Sequence, residues 1–173
     1  MRKKSAMVRI VFTASQTWMG RVIRWLSKGR VSHVFLQHQS KVWGGDWATE
    51  ATWPMVLQRP AERSRHNIVK EFFCEFDAPA ALSQIRDEVG KWYSFDGLFA
   101  LGFWLLFWRV FHRKLRHPFH SVRGNLCSEL VVKMLRAATD VPNTRDLDPD
   151  YTTPEMLLTF CEMHPAQFKE ISP

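Results

Sequence analysis

The stretch Gly124-Asn125-Leu126-Cys127-Ser128-Glu129-Leu130-Val131-Val132 places a cysteine where a helix is expected to begin. Leu126, Leu130, Met134 and Ala138 recur every four residues, and Val131 and Leu135 widen that apolar stripe. Asn125 is the expected cap. A thiol in the first turn lies beside unpaired backbone N–H groups and at the positive end of the helix dipole. Both favour thiolate over thiol, so this is a place where a nucleophilic cysteine is made. Read alone, the segment is more simply a plain buried cysteine, because a free thiol packs as a small hydrophobe.

Two upstream segments supply what a nucleophile needs. Val31-Ser32-His33-Val34-Phe35-Leu36-Gln37 reads as a short strand bearing a histidine, and Trp47-Ala48-Thr49-Glu50-Ala51-Thr52-Trp53 as another bearing a carboxylate. A cysteine nucleophile requires a base, and the base requires a group that orients its ring. In such a triad Cys127 attacks a carbonyl carbon, His33 holds the thiolate as an ion pair and later protonates the leaving group, and Glu50 fixes the ring. Backbone N–H groups of Cys127 and Ser128, at the helix start, are the expected oxyanion donors. Strand alternation puts His33, Phe35 and Gln37 on one face and Val34, Leu36 and His38 on the other, so His38 cannot stand in for His33. Asp46 competes with Glu50, but it sits in a Gly44-Gly45-Asp46 turn, where an aspartate has a local reason to be.

The order His33, Glu50, Cys127 and the local wording resemble the circularly permuted NlpC-type papain-like hydrolases of the YiiX/YaeF-like group. Ser32-His33-Val34, Thr49-Glu50-Ala51 and Cys127-Ser128-Glu129-Leu130-Val131 carry the resemblance, with Tyr93-Ser94-Phe95-Asp96-Gly97-Leu98 and Thr153-Pro154-Glu155 as further similar segments. It covers about Val8 to Leu158. It implies a Cys–His–polar triad on a papain-like α+β core, with the histidine strand preceding the cysteine helix. It allows peptide-amide substrates or, as in the lecithin retinol acyltransferase relatives, acyl lipids.

At 173 residues one domain over 1–173 is expected, large enough for a substantial core. The aromatic share is high, with 8 Trp and 13 Phe, and the formal charge of +7 suits anionic partners as well as plain solubility. Cys74, Cys127 and Cys161 give no disulfide framework. Cys74 alternates with Ile68, Phe72 and Phe76, and Cys161 lies in an apolar helix, so both are expected in the core. Met1-Arg2-Lys3-Lys4 imitates a signal peptide, but Arg9 interrupts the apolar stretch that follows. The expected location is therefore the cytoplasm, with a peripheral membrane position as an extension of that reading.

Along the chain, strands are expected at Met7–Ala14, Val31–His38, Trp47–Trp53, Met55–Gln58 and Ile68–Phe76, and a closing strand at Phe168–Ile171. Helices are expected at Thr17–Lys28 with Gly29 as stop, from Pro79 through Trp92 with Asp77 as cap, and at Pro154–Met163. Pro60–Asn67 and Asp140–Asp150 read as loops. Gly97 to Trp108 is wholly apolar and is followed by Arg109, Arg113, Lys114 and Arg116. Twelve such residues are too few to span a bilayer, which needs about 20. The run reads either as a buried helix beside the cleft or as an interfacial segment, with Trp104, Trp108 and the four cations forming a substrate or anionic membrane surface.

His112, His117, His120 and Cys127 match no zinc spacing, and no phosphate-cradling loop or nucleic-acid motif appears. No metal, cofactor or specific nucleic acid is expected. The leading function is thiol-dependent hydrolysis or acyl transfer on an amide or ester. The rival is a non-catalytic membrane-associated or anionic-ligand-binding protein with a papain-like shell.

Overall fold

Apolar alternation builds the sheet. In the computed structural model, which describes residues 5–39, 45–94, 99, 102–103, 106–107, 126–138 and 144–171, β1 (Ser5–Thr13) turns Val8, Ile10 and Phe12 to one face and Val11 to the other. The remaining strands are β2 (His33–Gln39), β3 (Asp46–Ala51), β4 (Val56–Pro60), β5 (Ile68–Asp77) and β6 (Lys169–Ile171). They form one six-stranded sheet in the order β4-β3-β2-β1-β5-β6, with each neighbouring pair antiparallel. The fold class is α+β.

The two faces differ in depth. Val8, Ile10, Phe12, Val34, Leu36, Phe72 and Cys74 lie in the main core with the helices. Val11, Phe35 and Ala48 meet Ala61 and Ile68 on the opposite face. Ala61 belongs to a short 3-10 turn, Ala61–Arg63, inside the segment expected as a loop, and Pro60 closes β4.

Four helices have complete boundaries among the described residues. Helix α1 (Trp18–Ser27) is capped by Thr17, whose Oγ1 accepts the Gly20 N–H at 3.2 Å. Its left-handed C-terminal residue is Lys28, at φ 54°, one position before the expected Gly29. Helix α2 (Ala78–Glu88) ends four residues short of Trp92. Gly90 turns the chain at φ 85°, and Trp92 bridges to Met55 instead. Strand-like pairing thus overrides the helical rhythm of Val89 and Trp92. Asp77, expected as the cap of α2, is the last residue of β5.

Helix α3 (Cys127–Ala137) is buried from Cys127 through Val132 and again at Met134 and Leu135. Leu126, not Asn125, holds the cap position, and Asn125 lies outside the described residues. The orphan N–H of Leu126 donates to Glu129 Oε2 at 3.1 Å, and Lys133 lies 2.7 Å from the same carboxylate. Glu129 therefore secures the turn that presents Cys127. Burial raises its carboxyl above the ordinary value, and the Lys133 ammonium only partly offsets that.

Helix α4 (Pro154–Met163) starts at Thr153, whose Oγ1 accepts from Met156 N at 3.2 Å. Glu155 in its first turn accepts from the backbone N–H groups of Arg30 (2.6 Å) and Val31 (3.2 Å) and from Arg30 Nε (2.9 Å). That clamp fixes the chain three residues ahead of β2. Cys74 and Cys161 are fully in the main core, as their periodicity predicts. Phe99, Gly102, Phe103, Leu106 and Phe107 of the long apolar run are helical. The rest of that run, with Trp104, Trp108, Arg109, Arg113, Lys114 and Arg116, lies outside the described residues, as do residues 140–143; the described remainder of Asp140–Asp150 opens with the 3-10 turn Thr144–Asp146. No helix among the described residues is long and apolar enough to cross a membrane.

Candidate active site

His33 is the first residue of β2, Glu50 the fifth of β3, and Cys127 the first of α3. The antiparallel register sets Leu36 opposite Thr49, which places Phe35 opposite Glu50. His33, two residues before Phe35, shares that face, and its ring packs 6.4 Å from the Phe35 ring. Helix α3 packs against β2, so its first turn meets the beginning of that strand.

The three side chains meet. The His33 Nε2–H donates to Glu50 Oε2 at 3.2 Å. The Cys127 thiol lies close enough to the same ring for each group to shift the other's titration. Backbone N–H groups of Val34 and Ser128 also reach the sulfur. Each group is shifted accordingly. Burial lowers the basicity of His33, but the hydrogen bonds to Cys127 and Glu50 outweigh it and bring the ring to about 10. Burial raises the Cys127 thiol, but the His33 bond and charge and the two backbone N–H groups bring it below its ordinary value. The two shifts are opposite in sense, His33 toward its protonated form and Cys127 toward its ionised form.

Glu50 is not an exposed edge carboxylate; it is 3 % exposed. Burial favours its neutral form, yet His33, Ser64 and Arg59 together hold it below the usual carboxylate value. Ser64 Oγ donates to Glu50 Oε1 at 2.8 Å, and Arg59 Nε reaches both Ser64 Oγ, at 2.8 Å, and the same carboxylate oxygen. Arg59 and Ser64 escaped the sequence reading. They lie on β4 and in the polar stretch after it, where an arginine and a serine carry no local signal of a buried partner.

Replacing Glu50 with Gln retains an acceptor for the ring but removes its charge. The His33 titration, followed by NMR of the ring, is expected to fall from about 10 by about 1 to 3 pH units.

Other candidates are placed elsewhere. Asp46 accepts from Gln37 Nε2 at 2.8 Å. His38 is buried, and its Nε2 is hydrogen-bonded to Thr49 Oγ1 at 3.1 Å. His112, His117 and His120 lie outside the described residues. Among the described residues no three His, Cys, Asp or Glu side chains gather as a metal site.

Cys127 opens onto a cleft of about 460 Å³. Trp18, Val22, Trp25 and Leu26 of α1 form one wall, and Phe99, Gly102, Phe103 and Leu106 another. Tyr93 and Leu126 lie close to the sulfur end. Burial raises the Tyr93 phenol well above its ordinary value, and the nearby Cys127 charge adds to that. The arrangement is a buried thiol, an imidazole and a buried carboxylate at the end of an apolar trough. Comparison of the chain with protein-family profiles, with curated proteins and with solved structures finds no match.

Proposed function

We propose that this chain is a thiol-dependent hydrolase or acyltransferase that acts on an amide or ester through Cys127, His33 and Glu50. The observation that carries the reading is the His33 ring, hydrogen-bonded to the buried Glu50 carboxylate at 3.2 Å and electrostatically paired with the Cys127 thiol. The thiolate attacks the carbonyl carbon, and the oxyanion is received by first-turn N–H groups of Cys127 and Ser128, which have no helical carbonyl partner. Loss of one such donor costs about 3 kcal/mol of barrier in other hydrolases. Collapse of the adduct expels the leaving group, which takes its proton from His33, and leaves a thioester on Cys127. His33 then removes a proton from water or an acceptor alcohol or amine, and the acyl group is transferred.

Histidine strand, carboxylate strand and cysteine helix in that order, with an antiparallel sheet behind them, support a papain-like core of the permuted NlpC type. Single-domain organisation over 1–173 and a cytoplasmic, membrane-peripheral setting belong to the same proposal.

Competitive alkylation tests the nucleophile. Cys74 and Cys161 are about 1 % and 0 % exposed, and burial pushes the Cys161 thiol well up. Under brief iodoacetamide treatment of the folded protein, one adduct is expected, mapped to Cys127 by peptide mass and missing from Cys127→Ala. Equal labelling of all three cysteines would make Cys127 a structural thiol and end the enzyme reading.

A further inference from the structure

The cleft that ends at Cys127 is lined in an unusual way. Half of the large hydrophobic side chains exposed among the described residues converge on it: Trp18, Val22, Trp25, Phe99, Phe103 and Leu106. Trp18 and Phe99 are 71 % and 73 % exposed. Scattered exposed hydrophobics are ordinary, but six facing one trough form a contiguous apolar surface that water covers poorly. Among the described residues, none that lines the cleft carries a charged side chain.

The hydroxyls that line the cleft are mostly committed. Ser27 donates to the Ile23 carbonyl at 2.8 Å, Ser32 accepts from Ser15 N at 2.9 Å, and Thr153 accepts from Met156 N at 3.2 Å. A peptide laid in this trough would bring an N–H and a C=O per residue, and each needs a partner when it leaves water. The walls offer few. A hydrocarbon chain makes no such demand and gains from every methylene buried. His33 does not line the cleft, and 24 % of its side chain stays exposed. Cys127 therefore has the dry trough on its acyl side, while the group that handles protons remains reachable from water.

We infer that the cleft between α1 and Phe99, Gly102, Phe103 and Leu106 is an acyl-chain site, and that the substrate class is a long-chain acyl ester whose carbonyl is presented to Cys127. The inference deepens the hydrolase reading and rests on it. The chemistry balances as an ordinary acyl transfer. The ester C–O bond breaks as the S–C bond forms, the alkoxide takes the His33 proton, and water restores thiol and carboxylic acid.

The test compares p-nitrophenyl acetate with the butanoyl, hexanoyl and octanoyl esters. Each buried methylene is worth about fourfold, so kcat/KM is expected to rise at least a hundredfold from acetyl to octanoyl. Two variants block the trough. Among the described residues a Cβ at Gly102 would meet only Leu26 Cδ1, at 3.8 Å, so Gly102→Leu adds bulk to the cleft wall, with circular dichroism to show that the fold is kept. Val22→Glu puts a charge on an exposed helix position, where glutamate is well tolerated. Both should flatten the chain-length profile, so that the octanoyl-to-acetyl ratio of kcat/KM falls at least about tenfold from that of the parent. A flat profile in the parent protein, or a rise that neither variant moves, overturns the acyl-chain site with the hydrolase intact. A separate arm measures quenching of tryptophan fluorescence by dodecanoate bound to Cys127→Ala. If no ester is turned over but dodecanoate binds and Gly102→Leu abolishes it, the hydrolase reading fails and the chain site stands. If dodecanoate does not bind either, both fall.

Discussion

Replacing Cys127 with alanine is expected to lower turnover of an activated ester by about six orders of magnitude, the loss seen when a nucleophile is removed from a hydrolytic triad. The size follows from the division of labour. The first-turn N–H groups and the cleft can bind and polarise a carbonyl without the sulfur, which leaves a residual rate above water. They cannot form the covalent intermediate. The measurement is steady-state hydrolysis of p-nitrophenyl octanoate by purified Cys127→Ala, with circular dichroism to show that the fold is kept. Retention is expected because alanine at a 6 % exposed position removes only one sulfur and favours the helix. A variant that keeps a tenth of the parent rate would place the chemistry on another residue.

His33→Ala is expected to cost about 10² to 10⁴ in turnover, the usual contribution of a positioned acid–base group. The loss should be smaller than for the nucleophile because thiolate is intrinsically reactive. The pH profile carries the sharper signature. In the parent protein the thiol is held below its ordinary value of 9.0 by His33, so alkylation should reach its plateau at lower pH than an ordinary thiol does. Without the imidazolium, burial acts unopposed by that charge and the rise should move to alkaline pH. A thiol at 9.0 is about one per cent ionised at pH 7, so labelling there should fall by up to about a hundredfold. Parent turnover should also decline as pH rises through about 10, where His33 loses the proton that the leaving group needs. An unchanged alkylation profile in His33→Ala would separate the two residues functionally.

Much of this was readable in the chain because each triad member sits on an element with a clear period. Leu126, Leu130 and Met134 mark a helix, and Val34 and Leu36 flank His33 on a strand, so their secondary structure followed from spacing. Glu50 stood out as a carboxylate among apolar neighbours. What was not readable depends on long-range packing. Any polar residue near a helix start could be its cap, and only burial of Glu129 against Leu126 decides against Asn125. The shortening of α2 depends on the Met55–Trp92 bridge, between residues far apart in sequence. Glu155 was legible only as part of a similar-looking segment; its clamp on Arg30 and Val31 spans more than a hundred residues. The amphipathic face of α1 was visible, but nothing local said that it walls a cleft rather than covering the core.

The imidazolium–thiolate pair has a consequence for the protein's tolerance of acid and base. Taken singly, a raised His33 contributes stability that is complete below 6.5 and lost as pH climbs toward about 10. A lowered Cys127 contributes stability that is complete above 9.0 and lost as pH falls through its folded value. The two slopes are opposite. In the part of the interval from 6.5 to 9.0 that lies above the folded thiol's value, the unfolded chain holds one proton on the pair, on sulfur, and the folded chain also holds one, on the ring. Wherever the pair is ionised in that interval, folding merely relocates a proton within the molecule. Assembling a reactive thiolate then leaves no mark on the pH dependence of folding, and the nucleophile can be kept charged without tying the fold to a narrow range of acidity.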